Sequence, residues 1–324
     1  MLKIGIVGLG GMGTVHYKNY QYINGCEVVA AVCNSEKSQE RAEEFGLTTY
    51  NDIESMVFNE DIDVVDICTP TYLHKKYVID ALNLGKHVIV EKPIALCKED
   101  AEEMFDLAEG KGLLLFVGHV VQFTKETEFL REAVRSGKYG KPLDGYFKRL
   151  AGLPQWSKSG WLFDKEKSGV LPFDLHVHDL DLIISIFGVP NNYNYTSCGR
   201  EEADYSDAYR INYTFDNLNI TVEAAWYNAN YPFTASWRVC FERAVIEYDG
   251  KNVIVYQPNQ LPYYYDLPED VVVSTGINLP PTSMFYNELS HFISCIKEGI
   301  SSDRVSREQV ITGVEIMEDI LRGE

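Results

Sequence analysis

The stretch that most restricts how this chain can fold is "KIGIVGLGGMGTVH", residues 3 to 16. A short apolar run meets glycines at 8, 10 and 13 in the order G-x-G-x-x-G, and a helical pattern follows at once. Each glycine has a steric reason: Gly8 permits a tight turn, Gly10 lets a bound pyrophosphate approach the main chain, and Gly13 lets helix and strand pack closely. The following helix presents unsatisfied N–H groups and the positive end of its dipole to an anion. Glycine-rich turns also arise for purely steric reasons, so the context decides. Residues 1 to 117 continue with "EVVAAV", "DVVDIC", "KHVIV" and "LLLFV", nearly continuous apolar runs typical of strands buried on both faces. Between them lie amphipathic patterns such as "EKSQERAEEFG", with Gly46 as C-cap, and "KEDAEEMFDLAEGKG". A βαβ series of this kind predicts a parallel, doubly wound α/β sheet that binds a dinucleotide at the glycine turn.

From about residue 122 the texture changes. A helical "KETEFLREAVRSG" precedes longer alternating strands with hairpin signals at Asp216–Asn217 and Asp249–Gly250, and helical segments near 283–298 and 306–322 close the chain. The expected organisation is a Rossmann domain over 1–121, followed by a C-terminal α+β domain over 122–324 with a large, mainly antiparallel open sheet. The tyrosines crowding 193 to 265 fit a half-buried sheet face or a subunit interface. An apolar open sheet needs cover, so a homodimer or homotetramer through that sheet is expected.

The balance of 29 basic against 48 acidic residues in 324 gives a net charge of −19. Such a surface repels a phosphate backbone or an anionic membrane, which argues against nucleic-acid and membrane partners and for a small molecule. Seven scattered cysteines without C-x-x-C spacing suit buried thiols in a reducing compartment. No run reaches membrane-spanning length, and the N-terminal apolar run is too short for a signal sequence, so a cytoplasmic protein is expected.

Two further stretches carry chemistry. The acidic residue that would hold the ribose hydroxyls of NAD is replaced by Asn34. Lys37 and Arg41 can reach a 2'-phosphate, or equally serve as solvated partners of Glu40 and Glu44, so NAD and NADP both remain open. "GKHVIVEKPIA" ends a strand in Glu91, Lys92 and Pro93, at the carboxyl edge where an α/β sheet opens its ligand crevice. "LPFDLHVHDLD", residues 171 to 181, packs two histidines and three aspartates together. As a helix it places Asp174, His178 and Asp181 on one face and turns His176 away; as a strand it would group Asp174, His176 and His178 in a better metal cage.

Taken together, the glycine turn, "CTPTYLH" at 68–74, "EKP" at 91–93, the later D-x-x-x-H and "FYNELSHFISCIKEG" give a chain that resembles the glucose-fructose oxidoreductase, inositol dehydrogenase and rhizopine-catabolism family (Gfo/Idh/MocA) over essentially its whole length. The resemblance implies that Lys92 is the active-site lysine, followed by a cis peptide before Pro93. It also implies that Asp174 and His178 lie on a helix crossing the cofactor, and that no metal is required. The candidate cofactor set is Gly8, Gly10, Gly11, Met12, Gly13, Asn34, Thr69, Pro70, His74, Glu91 and Lys92. The candidate substrate set is Lys92, His119, Gln122, Trp161, Asp174 and His178, with Trp156 and Tyr286 as further walls. His16 is read as a structural group at the turn.

Three positions depart from the family pattern. Ser168, Gly169 and Val170 stand where consecutive glycines are frequent, Gln122 stands for the Arg of an R-F pair, and Asn34 for the acid. The implied reaction is reversible hydride transfer between nicotinamide and a secondary alcohol or ketone of a sugar, cyclitol or related polyol. His178, with a reference pKa of about 6.5, is the acid/base, Lys92 stabilises charge on the reacting oxygen, and Asp174 orients. Each of the three read alone fits a surface ion cluster. The rival functions are a redox-neutral sugar-processing enzyme with tightly bound NAD and a non-enzymatic NAD(P)-sensing regulator.

Overall fold

A computed structural model of the chain describes residues 1–157, 160–268, 271–277 and 280–323. In it the buried apolar runs of the N-terminal stretch become strands and the amphipathic runs become helices, in the order β1 (Leu2–Val7), α1 (Gly11–Tyr20), β2 (Cys26–Val32), α2 (Glu36–Glu44), β3 (Thr48–Tyr50), α3 (Ile53–Glu60), β4 (Val64–Ile67), α4 (His74–Asn83), β5 (His87–Glu91), α5 (Lys98–Gly110) and β6 (Leu115–Gly118). The strands form one parallel sheet in the order β3-β2-β1-β4-β5-β6. Strand order reverses between β1 and β4, which opens a crevice at their carboxyl ends. The three-residue β3 was not expected from the sequence. Its "TTY" is polar and partly exposed, so it lacks the apolar run that betrays a strand, and Lys92 follows the fifth strand of the sheet.

The middle of the chain supplies α6 (Lys125–Arg135), β7 (Pro142–Gly152), the single-turn α7 (Lys165–Ser168), α8 (Val177–Phe187) and strands β8 (Asn192–Cys198), β9 (Ala208–Thr214), β10 (Asn219–Tyr227), β11 (Thr234–Phe241), β12 (Ala244–Tyr248), β13 (Val253–Tyr256) and β14 (Tyr263–Tyr265). Their sheet runs β14-β13-β12-β11-β7-β10-β9-β8 and is antiparallel except where β10 meets β7. Both expected hairpins are present. Phe215 N–H donates to Leu218 O (2.9 Å) across Asp216–Asn217, and Asp249 N–H donates to Asn252 O (3.2 Å) around Gly250 at φ 97°. In β9, Tyr209, Ile211 and Tyr213 point inward and their neighbours outward, the alternation of a sheet with one covered face. Of the crowded tyrosines, Tyr209 and Tyr213 are core residues, whereas Tyr263, Tyr264 and Tyr265 on the edge strand β14 are exposed.

Helices α9 (Met284–Glu298) and α10 (Arg307–Arg322) follow. The compact units are Met1–Thr124 with Glu269–Val314, and Lys125–Pro268 with Glu315–Glu324. This differs from the expected single cut between 121 and 122. The reason is packing: Leu289, Phe292, Ile293 and Ile296 of α9 enter one core with Ile4, Ile6, Ala31, Ile89 and Phe116 of the parallel sheet. Phe116 and Phe292 stack at 4.9 Å. An amphipathic pattern shows that a helix has an apolar stripe, but not which sheet the stripe will cover.

Candidate active site

In the first unit, the glycine turn has the geometry its spacing implies. Gly8 sits at φ 91°, a left-handed conformation that side chains resist. A Cβ on Gly13 would run into the Gly8 carbonyl oxygen, so helix α1 can approach β1 only if that residue is glycine. By contrast, a Cβ on Gly10 would meet nothing within 4 Å. That open space lies at the N-terminus of α1, where Gly10 is the cap and makes no side-chain capping bond. Nearby, Thr69 Oγ1 is buried without a hydrogen-bond partner. An uncapped helix start, a clear approach to Gly10 and an unsatisfied buried hydroxyl at the end of β4 fit a pyrophosphate-bearing cofactor. Gly11 and Met12 form the first turn of α1, and Pro70 precedes a short 3₁₀ turn, Thr71–Leu73.

Arg41 makes a bond that neither reading of the sequence included. Its Nη1 donates to the carbonyl oxygen of Leu9 (3.0 Å), inside the glycine turn itself. Asn34, exposed just beyond β2, donates from Nδ2 to Tyr77 Oη (3.3 Å).

Beneath the turn lies a buried polar network. His16, one turn along α1 from Gly13, is fully buried; its Nδ1 faces Asp66 Oδ2 (2.9 Å) and its Nε2 faces Glu91 Oε1 (3.1 Å). Tyr20 Oη donates to the same Asp66 oxygen (2.9 Å), and Cys68 Sγ lies 3.4 Å from His16 Nδ1. Burial works to lower the pKa of His16, but the Asp66 charge and the hydrogen bonds around it win and hold it well above its ordinary value. Burial alone would raise Glu91; the bond to His16 outweighs it and keeps that carboxyl below its usual range. Burial and the Asp66 charge push the Cys68 thiol up.

His16, Asp66 and Cys68 each offer a metal-donor atom within 4.8 Å of the others. A metal requires a neutral imidazole, however, and two carboxylates favour the imidazolium here. Asp66 escaped notice in the sequence, although the signal was present: a single acid inside the apolar run "DVVDIC" marks a charge that must find a buried partner.

Glu91 also accepts from the Lys92 main-chain N–H through Oε2 (3.0 Å). The Lys92–Pro93 peptide is cis. Buried His74 lies 2.8 Å from Pro93 O through Nδ1 and 2.8 Å from Thr69 O through Nε2. Burial pushes its pKa below the ordinary value although both carbonyls favour the charged ring, so the neutral ring donates to one of the two. His119 and Gln122 are buried at the end of β6 and in the turn Val120–Phe123. Tyr286 is partly buried and packs against the first unit's core.

In the second unit, "LPFDLHVHDLD" forms a π-helical turn, Pro172–His176, running into α8. From Ser168 to Ile184 every residue is buried except Asp174 and His178, which are half-buried. The helical face expected for this pair is therefore the one left open, but Asp181, expected with them, is buried. The wider π turn shifts Asp174 relative to the residues of α8. His176 points into the core: its Nε2 lies 2.6 Å from Tyr213 Oη, the rings are nearly parallel, and burial together with Arg149 drives its pKa down to about 3. Beside it, Arg149 of β7 grips Asp179 with two bonds, Nε to Oδ2 (3.2 Å) and Nη2 to Oδ1 (2.8 Å). Sequence reading missed Arg149, Asp179 and Tyr213, which lie in separate elements and make their pattern only in three dimensions. Upstream, Gly169 and Val170 both have positive φ, 69° and 48°. A valine held at positive φ is strained backbone. Trp161 meets Trp156 edge to face at 6.3 Å.

A parallel six-stranded sheet opening on this glycine turn defines an NAD-binding Rossmann unit. The model of the oxidoreductase family with an NAD-binding Rossmann fold matches residues 2–119, and that of the GFO/IDH/MocA C-terminal domain matches 127–247. The chain belongs to the Gfo/Idh/MocA family. It is 34% identical over 196 residues to the D-glucoside 3-dehydrogenase of Escherichia coli (58% of this chain, 55% of that one). It is 32% identical over 183 residues to the 2,7-anhydro-N-acetylneuraminate hydratase of Mediterraneibacter gnavus (56% and 48%). The chain spans 48% to 60% of the length of the first curated relatives it matches. A levoglucosan dehydrogenase in complex with NADH and levoglucosan shares the fold over 99% of this chain and 96% of its own, with a TM-score of 0.84 at 22% identity. No described helix is long and apolar enough to cross a membrane.

Proposed function

We propose that the protein is an NAD(P)-dependent dehydrogenase acting on a CH–OH group of a sugar, cyclitol or related polyol, with Lys92, Asp174 and His178 as the acting side chains. The observation that carries this reading is the exposure pattern of 168–184, in which Asp174 and His178 alone escape burial. A family relative named as a glucoside dehydrogenase supports the substrate class. The nicotinamide, when bound, supplies or accepts the hydride. His178 takes the hydroxyl proton as the carbonyl develops and returns it in the reverse direction. The Lys92 ammonium stabilises charge on the reacting oxygen, and Asp174 orients the ring or holds a neighbouring hydroxyl. Gly8, Gly10, Gly11, Met12, Gly13 and Thr69 hold the pyrophosphate, Asn34 the adenosine ribose and Pro70 the nicotinamide half, with His74 and Glu91, whose polar atoms are already engaged, supporting that wall from behind; Trp161 contacts the substrate, and the buried His119 and Gln122 back it. The second sheet assembles a homodimer or homotetramer, which light scattering at micromolar concentration tests.

The test is a fluorescence titration with NADH and NADPH, followed by an absorbance screen of inositols, aldoses and keto-sugars. His178→Ala is expected to lower turnover about 10²- to 10⁴-fold while nucleotide affinity stays near wild type. Binding of neither nucleotide refutes the proposal. The hydratase relative favours one rival, a redox-neutral reaction with retained NAD, and substrate consumption without net change in nicotinamide absorbance would select it.

A further inference from the structure

The buried network under the glycine turn is not explained by stability. Taking three ionisable side chains out of water costs several kcal/mol each, and apolar residues of similar volume often serve a core as well or better. What such a network provides is fixed geometry. Glu91 is engaged through both oxygens, Oε1 at His16 Nε2 (3.1 Å) and Oε2 at the Lys92 amide (3.0 Å). That amide belongs to the next residue in the chain, so the carboxylate sets the backbone course through 91–92. On the other side of Lys92, the Pro93 carbonyl lies 2.8 Å from His74 Nδ1. The main chain flanking Lys92 is therefore held on both sides.

We propose that His16 and Asp66 are positioning residues for Lys92, the chain Asp66–His16–Glu91 tying the helix that begins at the glycine turn to the main chain of the reacting lysine. This rests on the reading of Lys92 as an active-site residue. His16 is the hub because it stands three residues after Gly13 on the same face of α1. It meets Asp66 of β4 on one nitrogen and Glu91 of β5 on the other; Tyr20 and Cys68 complete its polar surroundings, and Phe285 of α9 covers it at 6.3 Å between ring centroids. Only an imidazolium donates to both carboxylates at once, and the raised pKa of His16 agrees with that state.

The decisive variant is His16→Gln, which cannot bridge both carboxylates with charged donors. Its folding is checked by near-UV circular dichroism and its NADH affinity by fluorescence titration. Hydrogen exchange at the Lys92 amide, read by mass spectrometry of the peptide containing it, is expected to accelerate about tenfold, the worth of one hydrogen bond. Turnover on the polyol found by the screen should fall about 10²-fold through kcat, with KM little changed, because a displaced lysine loses transition-state contact more than substrate affinity. The double variant His16→Gln/Glu91→Gln, which can rejoin the pair by neutral amide bonds, should exchange more slowly at Lys92 than the single variant. Unchanged Lys92 exchange in a folded His16→Gln variant overturns the proposal.

If that variant does not fold, the ¹⁵N spectrum of wild-type His16 decides. Two protonated ring nitrogens at pH 8 support the bridge, and a neutral ring at pH 7 overturns it. The exchange and ¹⁵N measurements need no substrate, so they separate failure of this proposal from failure of the dehydrogenase reading, which would show as wild-type turnover in Lys92→Ala or as no nucleotide binding.

Discussion

Removing the Arg149 guanidinium isolates a carboxylate that has almost no contact with water. The side chains of Arg149 and Asp179 are 8% and 4% exposed, and two hydrogen bonds join them. Arg149→Met keeps the length of the side chain and removes the charge. Breaking a buried pair from one side costs about 3 to 5 kcal/mol, since the partner is left ionised without compensation. The cost depends on pH in a defined direction. Burial already raises the pKa of Asp179, and Arg149 opposes that rise, so in the variant burial acts unopposed. A carboxyl whose folded pKa lies above its unfolded value, about 3.9, costs nothing below that pH. Above it the penalty grows by about 1.4 kcal/mol per pH unit until the folded pKa is reached.

In the wild type the Asp179 pKa is itself raised, so the two proteins diverge only above that point, and the loss should be much smaller at pH 5 than at pH 7.5, where it reaches the full amount. All four tryptophans, Trp156, Trp161, Trp226 and Trp237, belong to the second unit, so fluorescence-detected urea unfolding follows the part that is perturbed. With a slope of about 2 kcal/mol per molar urea, a loss of about 4 kcal/mol moves the midpoint down by about 2 M. Arg149→Met/Asp179→Leu should regain most of it. A midpoint within about 0.3 M of wild type at pH 7.5, or an equal loss at both pH values, refutes the argument.

Other substitutions test the site locally. Gly13→Ala forces a methyl against the Gly8 carbonyl, and overpacking of that kind should weaken NADH binding by about 10- to 10²-fold in a fluorescence titration. Arg41→Ala removes the guanidinium bond to Leu9 O; NADH binding should weaken about tenfold, and an unaltered Kd would show that the turn holds its shape without it. At Val170 the usual order of substitutions should invert. Glycine relieves left-handed strain worth about 1 to 2 kcal/mol, whereas alanine keeps the strain and also loses the buried side chain. Val170→Gly should therefore unfold at a higher urea concentration than Val170→Ala.

The elements that a reader of the sequence could place are those whose evidence is local. Strands β1, β4 and β5 are buried along nearly their whole length, so their apolar runs announce them, and the glycine spacing fixes the turn because steric demands act over a few residues. Asp174 and His178 could be picked out by their spacing, and they are the two half-buried positions in the run 168–184. What stayed hidden depends on distance along the chain. Sixteen, 66 and 91 carry the network under the turn, and nothing local to any of them names the other two. Arg149 and Asp179 likewise meet only because β7 lies beside α8. The π turn at Pro172–His176 was also invisible, since no residue pattern separates it from an α-helical start.

The late return of 269–314 to the first unit bears on how the molecule is made. Synthesis on the ribosome proceeds from the N-terminus, so the parallel sheet emerges long before Leu289, Phe292 and Ile293, which complete its core. Until then, one side of the sheet, around Ile4, Ile89 and Phe116, waits uncovered, a nascent surface that chaperones bind and that invites aggregation. A fragment ending near residue 124 should inherit that exposure permanently, while a fusion of 1–124 to 269–314 through a flexible linker should remove it.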